Sequence, residues 1–315
     1  MNLANAKPIK HIALAPNMSV NQLVKEMGNA VMGAGRVAKA ADIMEKMFRD
    51  NECTIFLGVA GAMVPGGMKK VIIDMLASGR IKVFVTTGAT LTHDMAEALG
   101  YHHNHGTEIA DDKELNEQHI YRMFDSFMPN TIYEGLEDFF EKHFETLSTI
   151  ETIPELLKTV GGLLTCTPED SILKMCAEKN IPIFCPALAD SGIGLMIWGQ
   201  LAKGKKAQVK AFEDLKSIMD IAWDTKKAGV IYIGGGVPKN YIQQAMQLAP
   251  NAATYGVQIT TDHPEPGGSS GAPLKEGISW GKMNVEADFV DVICDATIAL
   301  PLIYAAVKER IANIK

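Results

Sequence analysis

No apolar run in this 315-residue chain is long enough to cross a bilayer, and no clustered basic excess marks a nucleic-acid surface. Thirty Lys and Arg face thirty-seven Asp and Glu, for a net charge of −7. Cysteine is scarce: Cys53, Cys166, Cys176, Cys185 and Cys294 are odd in number and form no C-x-x-C pair. Most lie in or beside apolar stretches, which reads as free thiols in a reducing cytosol. The N-terminal stretch carries no apolar core or cleavage motif of a signal peptide, so the expected location is cytoplasmic. Common catalytic signatures are also missing. There is no G-x-G-x-x-G, no H-E-x-x-H or H-x-x-x-H, and no G-x-S-x-G elbow.

What remains is a chain that is 47% hydrophobic, enough for a large core. Six runs rich in β-branched residues alternate with helical periods: 54–63, 82–90, 182–194, 229–236, 254–262 and 290–297. That alternation predicts an α/β fold, with a mostly parallel sheet covered by helices on both faces. One domain spans 1–315, with a less regular excursion around 101–165. Helices are expected after Ser19 as N-cap, over 35–50 and 132–147, from Pro168 in a first turn, and over 211–229 with Gly229 as C-cap.

In open α/β sheets ligands lie beyond the carboxyl ends of the strands. Here those ends are small or polar: Gly58 to Ala62, Thr86 to Ala89, Asp190 to Gly194, Gly234 to Gly236, Thr260 to Asp262, and Asp295 to Thr297. Backbone N–H groups there can approach a nucleotide, and Asp190 and Asp295 can accept from ribose hydroxyls. The same glycines also suit plain turn chemistry, and the pattern leaves both readings open.

"EGISWGKMNVEADF" places Lys282 beside Trp280 and six residues after Glu276. A lysine in an apolar, aromatic-walled site loses its proton more readily and becomes a nucleophile. The alternative is an exposed turn lysine after Gly281, with Trp280 in the core. His93, His102, His103 and His105 crowd one region without the spacing or cysteine partners of a zinc site. They read as a solvated loop or polar rim, and no metal is expected.

"SSGAPLKEGISWGKMNVEADFVDVICDATIALPLI" closely resembles the C-terminal segment of deoxyhypusine synthase. "TIFLGVAGAMVPGG", "VFVTTGATLTHDM", "IPIFCPALADSGIG", "IYIGGGVPKN" and "VQITTD" follow in the family's order across nearly the whole chain. The resemblance implies a Rossmann-like fold, NAD as cofactor and a homotetramer with sites at subunit interfaces. It implies 4-aminobutyl transfer from spermidine through an imine on a lysine. Lys282 matches that lysine, and Trp280 and Glu276 match substrate positions. The cofactor positions it implies are Gly61, Ala62, Met63, Thr87, Gly88, Ala89, Asp190, Gly234, Gly235, Gly236, Thr261, Asp262, Asp295 and Ala296.

The substrate pocket departs from the family's pattern. Thr92 and His93 stand in place of an acidic pair, Leu195 and Ser269 in place of Asp, and Asn240 in place of His. Asp94, Asp262 and Glu265 are the acids left to compensate. Each lost charge-assisted contact is worth on the order of 1.5–3 kcal/mol. An altered amine donor or acceptor follows, as in homospermidine synthesis, and a protein lysine is disfavoured as acceptor. An NAD-binding sensor or scaffold without turnover is the alternative of a different class.

Overall fold

The computed structural model describes residues 7–164 and 170–312. Pro168 and Cys166 lie outside the described residues. The strands, in chain order, are β1 (Cys53–Val59), β2 (Ile81–Thr86), β3 (Asn104–His105), β4 (Ile120–Met123), β5 (Ser126–Pro129), β6 (Ile183–Phe184), β7 (Lys227–Ile233), β8 (Ala253–Thr260) and β9 (Met283–Ile293). The helices that precede the second half of the chain are α1 (Val20–Met27), α2 (Met32–Arg49), α3 (Lys69–Ala77), α4 (Gly88–Ala98), α5 (Asp112–Glu117), α6 (Ile132–Leu147) and α7 (Ile153–Leu163). They are followed by α8 (Ile172–Lys179), α9 (Gly192–Ala202), α10 (Ala211–Asp224), α11 (Gly236–Leu248), α12 (Glu276–Ser279) and α13 (Ala296–Ala312).

Six strands form one sheet in the order β6-β2-β1-β7-β8-β9, and every pairing is parallel. The chain winds outward from β1 through β2 to β6, then returns to β7 and winds the other way. The order therefore reverses between β1 and β7, where a doubly wound sheet opens a crevice at its carboxyl edge. All six apolar runs of the sequence become strands of this sheet, so the α/β expectation holds. The excursion is more regular than expected. Its first part folds as a small antiparallel sheet, β3-β5-β4, and its second part as α6, the helix expected over 132–147, followed by α7.

Alternation along the strands feeds two buried layers. Ile55, Leu57 and Val59 of β1 pack in a cluster with α2 residues such as Ile43, Met44 and Met47. Phe56, between them in sequence, joins Val230, Tyr232, Ile242 and Met246 on the other face, against α11. Each fully buried side chain of this size stabilises the fold by roughly 1.5–3 kcal/mol.

Ser19 caps α1 as expected: its hydroxyl accepts from Gln22 N–H, while Gln22 Oε1 accepts from Ser19 N–H. Gly229 does not end a helix. It lies inside β7, and α10 stops at Asp224. A Cβ at Gly229 would stand 2.9 Å from Cys53 Sγ and from Met47 Sδ, so glycine there lets α2 sit close to the sheet. The last strand also starts earlier than expected: residues 284–287 bulge out of the pairing between Met283 and Asp288, and Asn284, Glu286 and Asp288 interrupt the apolar signal.

Candidate functional site

Four helices begin near the carboxyl edge of the sheet: α4 after β2, α9 after β6, α11 after β7 and α13 after β9. Gly61, Gly234 and Gly236 take positive φ values of 83°, 73° and 58°, a backbone that side chains rarely allow. Gly234 donates to Ile259 O at 2.8 Å, and Ala60 donates to Ile233 O at 2.9 Å, so the two turns at the switch point lock to their neighbours. Thr87 caps α4, accepting from Thr90 N–H, and Gly88 lies so close to Ser191 that a Cβ would stand 2.4 Å from the serine Cβ. Asp190 is exposed, and no protein group bonds its carboxylate among the described residues. Asp295 caps α13: its Oδ1 accepts from Thr297 Oγ1 at 2.5 Å and from Thr297 N–H at 2.7 Å, and these two bonds, the hydroxyl's first, hold its carboxyl below the usual range. Ala62, Ala89, Thr261 and Asp262 are exposed on this edge, Met63 is half-buried and Ala296 is buried.

The N-terminus of α11 is not free. The loop after β8 folds back over it, Gly236 N–H donates to Ser270 Oγ at 2.8 Å, and a Cβ at Gly235 would stand 2.4 Å from Ser270 Cα. Lys239, only 5% exposed, holds that loop: Nζ donates to Gln258 Oε1 at 2.8 Å, Ser269 O at 2.7 Å and Ala272 O at 2.5 Å. Burial lowers Lys239 to about 8, with Asp291 and Glu276 opposing the shift and Lys282 adding to it. Asp291 Oδ1 accepts from Leu274 N–H at 3.0 Å and fixes the far end of the loop.

Against this loop lies a cavity of about 180 Å³ lined by Lys239, Asn240, Ser269, Glu276, Trp280 and Lys282, among others. Lys282 is half-buried, with its Nζ 4.8 Å from the centre of the Trp280 ring. Trp280 is 56% exposed, so it is not a core residue. The short α12 sets Glu276 and Trp280 one turn apart, and Gly281 at φ 69° turns the chain so that Lys282 enters β9. None of the strand-end residues 61–63, 87–89, 190, 261–262 or 295–296 lines this cavity.

His93 and Leu195 are elsewhere. Leu195 is 53% exposed on α9, at the rim of an apolar groove of about 500 Å³ with Trp198 and Phe144. His93 is half-buried on α4, with Nδ1 3.0 Å from His103 Nε2, and His103 Nδ1 stands 2.7 Å from Glu97 Oε1. His103 is thus not part of a solvated loop: its side chain is 6% exposed and hydrogen-bonded to Glu97. His102 and His105 are exposed as expected. Among the described residues, no group of three or more His, Cys, Asp or Glu is arranged to hold a metal.

Two of the acids expected to compensate for lost carboxylates, Asp262 and Glu265, are exposed near the crevice. The third, Asp94, is fully buried and accepts from Ser171 Oγ at 2.7 Å, Ile172 N–H at 2.8 Å and Leu173 N–H at 3.0 Å. It caps α8 and cannot meet an amine. Thr92 is likewise structural, donating to Gly88 O and accepting from Ile193 N–H.

The family model for deoxyhypusine synthase matches residues 22–307. "Probable deoxyhypusine synthase 1" of Methanosarcina acetivorans is 43% identical over 307 residues, covering 97% of this chain and 96% of its own length. A protein of the same name from Archaeoglobus fulgidus is 42% identical over 293 residues, covering 93% and 95%. An Entamoeba histolytica crystal structure bearing the family's name superposes with a TM-score of 0.66 at 23% identity, over 95% of this chain and 96% of that one. AgrE, solved as a ternary complex with ornithine and NAD⁺, shares the fold over 90% of this chain and 34% of its own, with a TM-score of 0.55 at 11% identity.

Proposed function

The chain belongs to the deoxyhypusine synthase family of aminobutyl transferases, and from that premise we propose that it works with NAD through an imine on Lys282. The observation that carries this reading is the shared cavity of Lys282, Trp280, Glu276, Asn240 and Ser269. NAD fits the carboxyl edge. Gly61 turns the chain at the switch-point crevice with φ 83°, Asp190 keeps a free carboxylate for a ribose, and Asp295 stands at the same edge. Gly61, Ala62, Met63, Thr87, Gly88, Ala89, Gly234, Gly235, Gly236, Thr261, Asp262 and Ala296 complete that lining. When bound, NAD supplies the acceptor for a hydride from the donor amine and returns it to the product.

The chain's own residues do the transfer. The Lys282 amine adds to the imine carbon of the oxidised donor. The bond from that carbon to the leaving amine breaks, and the carbon stays on Lys282 as an imine. An acceptor amine repeats the exchange and frees the lysine. Trp280 offers its ring face to a substrate cation, as it now does to Lys282. Glu276 is the one carboxylate lining the cavity among the described residues, against two lysines, Lys239 and Lys282. That balance favours a small amine donor or acceptor over a polycation, and it speaks against a protein lysine as acceptor. Asn240 and Ser269 give neutral hydrogen bonds where charge would otherwise be expected.

Lys282 enters β9 beside Ala253, the first residue of β8, whereas the proposed cofactor residues lie past the last residues of the strands. Over the eight residues of β8 the two edges are separated by roughly 25 Å. A second copy of the chain, bringing its crevice with His93 and Leu195 to this copy's Lys282 cavity, completes the site. Homotetramer formation with sites at subunit interfaces follows, and exposed Trp280 suits such contacts. The buried free thiols Cys53, Cys176 and Cys185 suit a cytoplasmic setting.

The test is to incubate the protein with NAD and a mixture of putrescine, spermidine and agmatine and to identify new amines by mass. Wild type forms a new amine and Lys282→Ala forms none. A Lys282→Ala variant as active as wild type overturns the reading.

A further inference from the structure

The sequence of α9, GIGLMIWGQLA, is apolar on every side of the helix. A helix of that kind is normally covered all round. Here Leu195, Trp198 and Leu201, spaced three residues apart on one face, are exposed. They line the groove of about 500 Å³, together with Phe140 and Phe144 of α6 and Leu156 of α7. Among the described residues, none that lines the groove is ionisable. Its volume falls within the roughly 300–1,000 Å³ of small-molecule sites, which are likewise lined mostly by apolar and aromatic side chains.

The groove is a preformed concavity. Ala207, Gln208 and Val209, in the loop between α9 and α10, also line it. Ion pairs hold that loop: Lys203 Nζ stands 3.1 Å from both Glu137 Oε1 and Glu141 Oε2 on α6, and Lys210 pairs with Glu151. Lys205 Nζ lies 5.2 Å from the centre of the Phe144 ring, and no carboxylate pairs with Lys205 or Lys206 among the described residues. The two ends of the groove therefore differ. At the carboxyl edge of the sheet, the α9 cap Ser191 packs against Gly88 of the proposed cofactor crevice. Leu188 and Ala189, which line this end, directly precede Asp190, whose carboxylate is exposed. From Leu195 the groove follows α9 for about 9 Å to Leu201 and ends at the lysine loop. An ammonium is thus matched at the crevice end and repelled at the far end.

We propose that this groove takes the apolar tail of the acceptor, so that the enzyme transfers its aminobutyl unit to a monoamine carrying an aliphatic chain. The proposal rests on the transfer reading above and names the acceptor class for that site. The acceptor nitrogen adds to the imine carbon on Lys282, and the bond from that carbon to the Lys282 nitrogen breaks. The hydride taken earlier from the donor returns to the same carbon. The product is a secondary amine with the tail on one side and the aminobutyl arm on the other. No oxidant or further reactant is needed.

The lining excludes the polyamine alternative. A second ammonium, carried down the groove, would lose its water where no carboxylate lines the wall to replace it. An aliphatic chain of the same length loses only apolar surface to the wall, and each methylene that enters adds to binding. Leu195 at the rim, in place of an acid, extends the same preference to the mouth of the groove.

The test has one arm without turnover and one with it. In full-length protein labelled with 5-fluorotryptophan, Trp198→Phe identifies the Trp198 resonance among those of the three tryptophans. Butylamine, hexylamine and octylamine should each shift that resonance, with Kd falling about three- to fourfold for each added methylene. Putrescine, which is butylamine with a second ammonium, should not shift it. Leu201→Lys, at an exposed position, should keep the melting temperature near wild type and raise the octylamine Kd by about 10-fold or more. A Trp198 resonance that ignores octylamine overturns the proposal. So does dissociation of the assembly by Leu201→Lys in sedimentation, which marks the groove as a face between copies. In the second arm, octylamine joins NAD and the mixture of putrescine, spermidine and agmatine. Its aminobutyl product should exceed that of putrescine by about 10-fold or more, and Leu201→Lys should remove the lead. Transfer to putrescine without transfer to octylamine overturns the proposal and leaves the transfer reading standing. Binding of octylamine with no transfer to any amine overturns the transfer reading, and the acceptor role with it.

Discussion

Lys239 Nζ donates to Gln258 Oε1 at 2.8 Å beneath the loop that forms one wall of the Lys282 cavity. The same ammonium donates to Ser269 O and Ala272 O, so one buried charge fixes the loop to β8. Removing it leaves three acceptors without a donor. Lys239→Met should destabilise the protein by about 2–4 kcal/mol in urea unfolding and lower activity by loosening Glu276 and Ser269.

The same lysine predicts a pH dependence. Its folded value, about 8, lies below the ordinary 10.5. Between those values the unfolded chain binds more protons than the folded one, so stability rises with pH across that window. Below pH 8 the full cost of burying the charge is present. The difference in unfolding free energy between wild type and Lys239→Met should grow in favour of wild type by on the order of 3 kcal/mol from pH 8 to 10.5. A flat difference would show that the ammonium is not desolvated.

Gly235 sits under Ser270 with no room for a methyl group. Gly235→Ala should push the loop outward, cost about 1–3 kcal/mol, and raise KM for both cofactor and amine. Thermal unfolding and initial rates measure the two effects.

Leu195 is exposed, so an acid placed there meets no packing penalty. Leu195→Asp should leave the melting temperature near wild type and lower KM for a polycationic amine by about 10-fold or more, the size of one charge-assisted hydrogen bond. An unchanged KM would place Leu195 outside the amine site.

Shared sites predict complementation. Asp190→Ala should bind NAD weakly and Lys282→Ala should not transfer, yet co-assembled subunits carrying one change each should regain part of the activity. No recovery after subunit exchange would show that each site is built within one chain.

The sheet was legible because its strands are buried on both faces and therefore read as continuous apolar runs. Strand order was not, since register and neighbours depend on contacts far apart in sequence. The Lys282–Trp280–Glu276 group was legible because α12 and one glycine turn set it within seven residues. Lys239 was missed in "GGGVPKN", where it resembles any helix-surface lysine. Its burial comes from a loop 30 residues downstream. Asp94 looked like a substrate acid and serves α8 instead, and His103 looked solvated and is held by Glu97 across six residues of turn. In each case the partner lies on a separate element, and local pattern does not encode it.

The covalent step is tested most directly by borohydride reduction of the protein incubated with NAD and donor amine, followed by peptide mapping by mass. The account predicts a butylamine adduct on the peptide holding Lys282, and none when NAD is omitted. An unmodified Lys282 during active turnover, or an adduct on Lys239 in its place, would contradict it.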